Sequence, residues 1–276
     1  MLQFYIDDII KKALLEDINY VDAAADNLLS DNHVSSAKFL AKATGVVCGI
    51  DVALRVFELL GDFKLKKLMN DGDRVNKGDI IAEIEGPTKL LLKGERTSLN
   101  LIQHMSGIAT MTAEAADLIK GTDATVTDTR KTLPGLRALQ KYAVTCGGGK
   151  NHRFNLSDAA MLKDNHIDAC GSITKAVETL RSKIGHTVKI EVETRNLDEV
   201  AEALSTGCEI IMLDNMDCAT MKKAVEMTAG RALLEASGNI TAETIRPVAE
   251  TGVDIISIGA LTHSVKAFDI SLKINK

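Results

Sequence analysis

A strand–helix unit that recurs from about residue 124 onward constrains the fold of this chain more than any other feature. Six short apolar runs each end in a polar or glycine residue: Ala124–Thr127, Ala159–Lys163, Lys189–Glu193, Glu209–Asp214, Ala232–Ser237 and Asp254–Gly259. The segments between them predict amphipathic helices at Pro134–Thr145, Ile173–Ile184, Leu197–Ser205, Cys218–Thr228 and Thr241–Glu250. Apolar strands that alternate with helices indicate a parallel sheet covered by helices.

The number of units and the positions of their polar residues narrow the architecture. Six units are too few for a complete eightfold barrel. Polar residues and a glycine stand at the C-terminal ends of successive runs, and this is the face that carries the chemistry in barrels: Asp128, Lys163, Glu193, Asp214, Ser237 and Gly259. Helix caps explain part of this set, but Lys and Glu are poor caps. An incomplete, open α/β barrel is therefore favoured, and a doubly wound sheet is the alternative.

The first hundred residues predict a separate N-terminal α/β sandwich domain. Strands are expected at 38–43 and 46–47, a helix at 52–60, and a strand pair at 79–85 and 89–93 around Gly86-Pro87. A long helix from Glu95 to Lys120 then joins the two parts. We expect an N-terminal domain at 1–107, joined by C-terminal residues 265–276, and a barrel domain at 108–264. The Asp-Gly-Asp stretch that begins at Asp71 is interpreted as structural.

Cations are concentrated between Asp128 and His166, at the predicted strand ends. They are Arg130, Lys131, His152, Arg153 and Lys163, in a chain whose net charge is −5. Because like charges repel unless an anion joins them, their convergence predicts a pocket for a small, multiply charged anion. A solvated basic face is the alternative interpretation.

Two further patterns indicate phosphate and metal chemistry. The loops Ser237-Gly238-Asn239 and Gly259-Ala260 follow the last two strands, where backbone amides commonly bind phosphate in barrels. Ordinary turn glycines are the competing explanation. The Gly147-Gly148-Gly149-Lys150 stretch lacks the spacing of a phosphate loop.

Two carboxylates on neighbouring predicted strands, Glu193 and Asp214, suggest Mg²⁺, which prefers oxygen ligands and substrate phosphates. Salt bridges from these carboxylates to Lys163 or Arg130 remain the alternative. Glu191 could share either role.

Composition excludes several classes of protein. No apolar run reaches the roughly 18 residues of a membrane span, and the N-terminus lacks the pattern of a secretory signal. The five cysteines form no C-x-x-C pair, which suits reduced thiols in the cytoplasm. The negative net charge and only nine aromatic residues argue against nucleic acid as a partner. The expectation is a cytoplasmic protein that binds small molecules.

Several motifs resemble the quinolinate phosphoribosyltransferase family, also called carboxylating nicotinate-nucleotide pyrophosphorylases. They are Glu-Arg-Thr-Ser-Leu-Asn at 95–100, Asp-Thr-Arg-Lys-Thr at 128–132, Gly-Gly-Gly-Lys-Asn-His-Arg at 147–153, Lys-Asp-Asn-His at 163–166, Glu-Val-Glu at 191–193, Met-Leu-Asp-Asn at 212–215 and Glu-Ala-Ser-Gly-Asn-Ile at 235–240. The likeness spans nearly the whole chain in order. It implies a pentosyltransferase of NAD biosynthesis that converts quinolinate and phosphoribosyl pyrophosphate to nicotinate mononucleotide, pyrophosphate and CO₂.

The resemblance also implies roles for individual residues. Arg130, His152, Arg153 and Lys163 would bind the dicarboxylate, and Thr129 and Lys131 would contact substrate beside them. Lys131, Glu193 and Asp214 would be catalytic, and the two carboxylates would face the ribose and its Mg²⁺-pyrophosphate. The 5′-phosphate would be held by Ser237, Gly238, Asn239, Gly259 and Ala260. Arg96 would reach the active site of the partner in a homodimer.

Three alternatives to this function remain open from the residues. One is a paralogue of the same fold associated with molybdenum uptake. Another is a Schiff-base aldolase that uses Lys163, because cations nearby would depress the pKa of that lysine. The third is an anion-binding barrel without catalysis.

Overall fold

The computed structural model describes residues 3–275, which form two compact units. One unit contains residues up to Ala113, Thr132–Gly148 and the residues from Leu261 on; the other contains Glu114–Lys131 and Gly149–Ala260. Met1, Leu2 and Lys276, at the outer ends of the predicted 1–107 and 265–276 segments, lie outside the described residues. The domain boundary at residues 107 and 108 stays a prediction.

The N-terminal elements build a helix-covered antiparallel sheet. In chain order they are α1 (Gln3–Asp17), α2 (Ala25–Leu28), β1 (Val34–Ala41), β2 (Gly45–Val46), α3 (Ile50–Leu60), β3 (Lys64–Lys67), β4 (Arg74–Val75), β5 (Ile80–Pro87) and α4 (Thr88–Leu118). Every second residue of β1 is buried, as expected for a strand with one face on a core. Phe39 of β1 packs edge-on against Phe57 of α3, with ring centroids 6.1 Å apart.

The remaining elements alternate strand and helix. They are β6 (Thr125–Thr127), α5 (Arg137–Cys146), β7 (Ala160–Leu162), α6 (Asp164–Cys170), α7 (Ile173–Arg181), β8 (Ile190–Thr194), α8 (Leu197–Ser205), β9 (Ile210–Asp214), α9 (Cys218–Thr228), β10 (Leu233–Ser237), α10 (Ile245–Ala249), β11 (Ile255–Ser257), α11 (Ala260–His263) and β12 (Ile270–Asn275). The last strand pairs antiparallel with β1, so the first sheet has the order β12-β1-β5-β3.

Six parallel strands form the second sheet in the order β6-β11-β10-β9-β8-β7. From β7 to β11 each strand lies beside the next one in sequence, without the reversal that defines a doubly wound sheet. Among residues 3–275 the two outer strands, β6 and β7, do not pair with each other, so the ring is open there. The open α/β barrel with an N-terminal α/β domain is therefore confirmed.

The predicted strand at 89–93 is wrong, because these residues belong to α4. Lys89 and Lys93 lie four residues apart, and each forms a 2.7 Å ion pair, with Asp31 and Asp26 respectively. Leu90 and Leu91 are buried between them. A short run of leucines between two lysines fits either period, and only the packed structure distinguishes them. Among the described residues, no helix is both long and apolar enough to cross a membrane.

Helix starts in the barrel differ in how well the sequence marks them. The side chains of Asn196 and Asp217 cap α8 and α9 by accepting backbone hydrogen bonds, and both helices match their predicted bounds. The helix predicted from Pro134 begins three residues later. Gly135 has a φ of +80°, a left-handed conformation that a helix cannot contain.

Candidate active site

A cavity of about 540 Å³ lies at the C-terminal ends of the barrel strands. Nine of the predicted site residues line it: Thr129, Arg130, Lys131, His152, Arg153, Lys163, Glu193, Asp214 and Ser237. They come from loops or strand ends spread over more than a hundred residues of sequence. Parallel strands bring the strand ends to one edge of the sheet, and a parallel bridge between Thr127 and Lys150 precedes the loop that carries His152 and Arg153.

Two guanidinium groups and two lysines supply positive charge to this cavity. The Arg153 guanidinium donates to the carbonyl of Ala159 at 3.0 Å. Burial, together with the neighbouring charge of Arg130, lowers the pKa of Arg153. The charges thus destabilise each other in the free protein, and a bound anion would remove that repulsion.

Three buried acidic residues contact His152. Its backbone N–H donates to Asp128 Oδ1 at 2.9 Å, and its ring Nε2 lies 3.1 Å from Glu191 Oε2 and 3.5 Å from Glu235 Oε2. The backbone N–H of Arg153 donates to the ring Nδ1 at 2.8 Å. Because Nδ1 accepts a hydrogen bond, the proton of the neutral ring lies on Nε2, facing the carboxylates.

Glu235 is a member of the site that the sequence prediction missed. It is 1% exposed, in the middle of β10, and lines the cavity. Burial, reinforced by the charge of Glu191, raises the pKa of Glu235 to about 7. The sequence feature that could have identified Glu235 is a carboxylate inside the apolar run Leu-Leu-Glu-Ala. Acidic side chains are rarely buried without a partner, so such a residue is a candidate for a functional site. Met161, Met212, Asn215 and Ser257 also line the cavity and were not predicted.

Glu193 and Asp214 stand on adjacent strands, β8 and β9. Burial raises the pKa of Glu193, Lys163 opposes this rise and Asp214 adds to it. The only ion pair between Glu193 and a cation among the described residues is a 3.9 Å contact with half-exposed Lys163. Such a long, partly solvated pair is worth little, so a scaffold role explains the carboxylates poorly.

The same two carboxylates fit a divalent cation. They offer two oxygen ligands on neighbouring strand ends, and their mutual repulsion is the kind of interaction that a cation relieves. Mg²⁺ usually takes one or two carboxylates and completes its shell with water and substrate phosphate. The donor set therefore suits an ion that arrives with a phosphorylated substrate.

Loops after β9 and β10 contact each other at the edge of the site. Asn239 Nδ2 donates to Asn215 Oδ1 at 3.2 Å, and Asn215 N–H donates to the carbonyl of Ser237 at 2.9 Å. Gly238 has a φ of +101°, and a Cβ there would collide with the side chain of Asn215. Glycine is therefore required at 238 by both conformation and space.

Five predicted site residues do not line the cavity. Gly238 and Asn239 lie in the loop after β10, while Gly259 and Ala260 lie where β11 passes into α11. Arg96 is an exposed residue of α4 and belongs to the other compact unit. The described single chain thus gathers the cations and carboxylates, but not these five, around one cavity.

An open α/β barrel with an anion-suited, carboxylate-lined cavity at its strand ends defines a class of enzymes that act on small phosphorylated substrates. The models for the N-terminal and C-terminal domains of quinolinate phosphoribosyl transferase match residues 22–106 and 108–273. The chain belongs to the quinolinate phosphoribosyl transferase family, and the resemblance seen in its motifs is confirmed.

Full-length relatives and solved structures agree with the family models. A probable carboxylating nicotinate-nucleotide pyrophosphorylase of Bacillus subtilis is 43% identical, over 99% of this chain and 95% of that protein. A carboxylating nicotinate-nucleotide pyrophosphorylase of Arabidopsis thaliana chloroplasts is also 43% identical, over 97% of this chain and 82% of that protein. The crystal structure of NadC from Streptococcus pyogenes superposes with a TM-score of 0.97, at 42% identity, covering 100% of this chain and 98% of the other. These findings favour the transferase over the aldolase that Lys163 had left open.

Proposed function

We propose that this chain catalyses the transfer of a phosphoribosyl group to quinolinate, with loss of CO₂, to give nicotinate mononucleotide and pyrophosphate in NAD biosynthesis. Family membership over nearly the whole chain supports the reaction type. The observation that carries the proposal is one cavity lined by both the cations and the Glu193–Asp214 pair. Cations suit the two carboxylates of quinolinate, and carboxylates suit the positive charge that develops on the ribose.

Arg130, Arg153 and Lys163 bind and orient the dicarboxylate, with His152 beside them. Their charges neutralise quinolinate, which otherwise repels the polyphosphate of the second substrate. Burial and, after it, the charge of Arg130 lower the pKa of Arg153, and bound quinolinate would offset the repulsion between the two guanidinium groups. Binding both anions in one cavity replaces an unfavourable encounter in water with a fixed approach of the ring nitrogen to the anomeric carbon.

Glu193 and Asp214 face the reacting ribose. The ring nitrogen forms a bond to C1′ while the C1′–O bond breaks and pyrophosphate leaves with the electron pair. Both carboxylates stabilise the positive charge on the ribose in that transition state, and Lys131 contacts the phosphoribosyl group. Glu193 and Asp214 would hold Mg²⁺ directly or through pyrophosphate, and the ion would supply charge neutralisation to the leaving group.

Decarboxylation follows the formation of the N–C bond. The bond between ring carbon 2 and its carboxylate breaks, and the quaternised nitrogen stabilises the electron pair left on the ring. That carbon then takes a proton, and nicotinate mononucleotide results. Backbone amides of Ser237–Asn239 and of Gly259 and Ala260 hold the 5′-phosphate while these steps proceed.

The proposal extends to assembly and location. A cytoplasmic homodimer in which Arg96 enters the partner's site is consistent with the exposure of Arg96 on α4. The homodimer completes a site that the single chain lines without Arg96. Its partners are then small molecules and a second copy of the chain, with neither nucleic acid nor membrane required.

A direct assay tests the proposed function. The purified chain is incubated with quinolinate, phosphoribosyl pyrophosphate and Mg²⁺, and nicotinate mononucleotide, pyrophosphate and CO₂ are measured together. Equal amounts of all three are expected. Phosphate binding without turnover would instead indicate an anion-binding barrel, and would overturn the proposal.

A further inference from the structure

Two cysteines and an aspartate that the proposed reaction does not use lie together in the first compact unit. A carboxylate oxygen of Asp71 and the Sγ atoms of Cys48 and Cys146 all lie within 4.8 Å of one another. Cys48 precedes α3, Cys146 ends α5, and Asp71 lies in the turn between β3 and β4. Cys48 is buried, while the other two are partly exposed.

Backbone contacts fix this cluster in place. The N–H of Cys48 donates to Ser106 Oγ at 2.9 Å, and the Ser106 hydroxyl lies 3.1 Å from the carbonyl of Cys48. The turn that carries Asp71 is bound to the residue before Cys48. Gly72 N–H donates to the carbonyl of Val47 at 2.9 Å, and Val47 N–H donates to the carbonyl of Asp73 at 3.1 Å. Two of the three side chains are thus positioned by the fold.

The Asp71 carboxylate is oriented by three donors. Its Oδ1 accepts from the N–H groups of Gly49 and Ile50 at 3.0 and 2.9 Å, and its Oδ2 accepts from the Tyr142 hydroxyl at 3.0 Å. Hydrogen-bonded carboxylates of this kind are the usual outer partners and ligands in metal sites, because they hold the ligand atom in one direction. Tyr142 lies on α5, one turn before Cys146.

The two thiols interact through a hydrogen bond. A hydrogen bond from the Cys48 thiol lowers the pKa of Cys146, and the Tyr142 hydroxyl lowers it further. The same hydrogen bond, together with burial, raises the pKa of Cys48. Two deprotonated sulfurs beside the Asp71 carboxylate would concentrate negative charge, which a cation would neutralise.

We propose that Cys48, Asp71 and Cys146 bind a thiophilic divalent metal ion of the zinc class, with water as the fourth ligand. Thiolate sulfurs lie about 2.3 Å and carboxylate oxygens about 2.1 Å from tetrahedral Zn²⁺, so its ligand atoms are about 3.3–3.8 Å apart. The ligand atoms of the observed cluster, within 4.8 Å of one another, would move closer together to reach this spacing. Binding releases the thiol protons of Cys48 and Cys146, and two sulfur ligands select against Mg²⁺ and Ca²⁺.

A cavity adjoins the Asp71 side of the cluster. Asp71 and Tyr142 line a cavity of about 330 Å³ in the same compact unit. Water can fill the fourth position from this cavity, since three protein ligands leave one position open. This site therefore shares no residue with the cavity at the barrel strand ends.

Cobalt provides the test. The reduced, metal-free full chain is titrated with Co²⁺, whose tetrahedral thiolate complexes show a thiolate-to-cobalt charge-transfer absorption. One such ion per chain is expected, and Zn²⁺ should displace it. Cys48→Ser or Cys146→Ser should remove about half of the absorption and weaken binding at least about tenfold. Asp71→Asn should weaken binding while leaving both sulfur contributions.

Matched controls separate this site from others. Cys170→Ser and Cys218→Ser remove partly exposed thiols elsewhere and should leave the absorption intact. Tyr142→Phe should weaken binding about tenfold to a hundredfold by freeing the carboxylate. Co²⁺ at His152, Glu191 and Glu235 would give no sulfur absorption.

Two results would overturn the proposal. One is a charge-transfer band that survives in the folded Cys48→Ser/Cys146→Ser double variant. The other is the lack of any such band in a wild-type chain whose thiols are titrated as reduced. Circular dichroism of each variant confirms that it folds, and Asp71→Asn keeps the test decisive if a serine variant does not.

Discussion

Charged residues pair with each other in the antiparallel sheet, whereas at the edge of the parallel sheet they converge. In the first sheet, Lys38 and Glu83 form a 2.9 Å ion pair across neighbouring strands, and Lys64 and Glu85 form one at 2.7 Å. At the barrel edge, Arg153 instead has its pKa lowered by burial and by the charge of Arg130.

The difference follows from strand geometry. Antiparallel neighbours place side chains directly opposite each other, so opposite charges are satisfied pairwise on the surface. Parallel strands in a barrel bring all their C-terminal ends to one edge, where several charges share one space. The first arrangement is complete within the chain, whereas we propose that a bound substrate relieves the second. The following predictions test that contrast, in order of expected effect.

Replacing quinolinate by nicotinate should give the largest effect. Nicotinate lacks the 2-carboxylate, so part of the positive charge of Arg130, Arg153 and Lys163 would stay uncompensated in a partly dry cavity. A buried charge without its partner costs several kcal/mol, and we expect kcat/KM to fall by about a thousandfold or more. Comparable kcat/KM values for the two acids would refute both the contrast and the proposed substrate.

Glu193→Gln and Asp214→Asn should each remove about 2–4 kcal/mol of transition-state stabilisation, measured as kcat/KM. Size and most hydrogen bonding are kept, so the loss reports charge. Quinolinate binding should persist or tighten, because a repelling carboxylate is gone.

Thermal unfolding of the same variants is the control. Melting temperatures should change little, since the 3.9 Å contact from Glu193 to Lys163 is weak. A scaffold role would instead cost about 3–5 kcal/mol of unfolding free energy, because a buried cation would lose its partner. Lost stability with retained turnover would place both carboxylates in the scaffold.

Glu235 should make the stability of the protein depend on pH. Its pKa is about 7 in the folded state and near 4.5 when unfolded, so the unfolded chain loses this proton first as pH rises. The contribution of this group to stability should therefore be largest below pH 4.5, fall as pH rises, and level off above pH 7. The total fall from this group is on the order of 3 kcal/mol.

Glu235→Gln should abolish that dependence. Urea unfolding of both proteins at several pH values between 5 and 8 measures it, and the variant should gain relative stability as pH rises. Parallel pH profiles for the two proteins would show that Glu235 does not titrate in this range.

Arg96 would be an exception to the contrast between the two sheets, because it is a cation of the first unit with a proposed role at the active site. Arg96→Ala and Lys163→Ala should each be inactive alone. After equal mixing, half of the dimers are hybrids with one intact site, so about a quarter of wild-type activity should return. Without recovery after verified subunit exchange, Arg96 would serve its own chain or only the fold.

The smallest effect is expected at the paired surface charges. Lys64→Ala and Glu85→Ala disrupt an exposed cross-strand pair, and such pairs contribute little. Neither kcat/KM nor the melting temperature should change beyond the error of measurement. A clear loss of activity at this pair would show that the antiparallel sheet takes part in function.

Much of the barrel could be read from the sequence because its signals are local. All six strands fall within a few residues of their predicted positions, and α8 and α9 match theirs. An apolar run of strand length that ends in a polar residue needs no distant partner to be recognised. Seven of the nine predicted cavity-lining residues stand at or just after strand ends, and His152 and Arg153 were predicted from the concentration of cations in that part of the chain.

Features that depend on distant contacts were not predicted. In the sequence, the start of α4 resembles a strand. Only the tertiary structure shows that its two lysines form ion pairs with aspartates from an earlier segment. In the sequence, Glu235 interrupts an apolar strand. Only the tertiary structure shows that its side chain contacts His152. Residues 265–276 were expected to join the N-terminal domain, but the pairing of β12 with β1, which joins residues as far apart as Ser36 and Asn275, was not predicted.

By itself, the sequence determined the strand–helix alternation, the family and the edge of the sheet where the chemistry lies. Those follow from periodicity and from side chains at the ends of elements, which local chain geometry fixes. Tertiary structure alone decided which side chains from distant segments contact each other, such as Glu235 with His152 and Cys146 with Cys48. Such contacts depend on how separate elements pack. Packing energy is shared among many residues far apart in the chain, so local sequence patterns do not reveal these contacts.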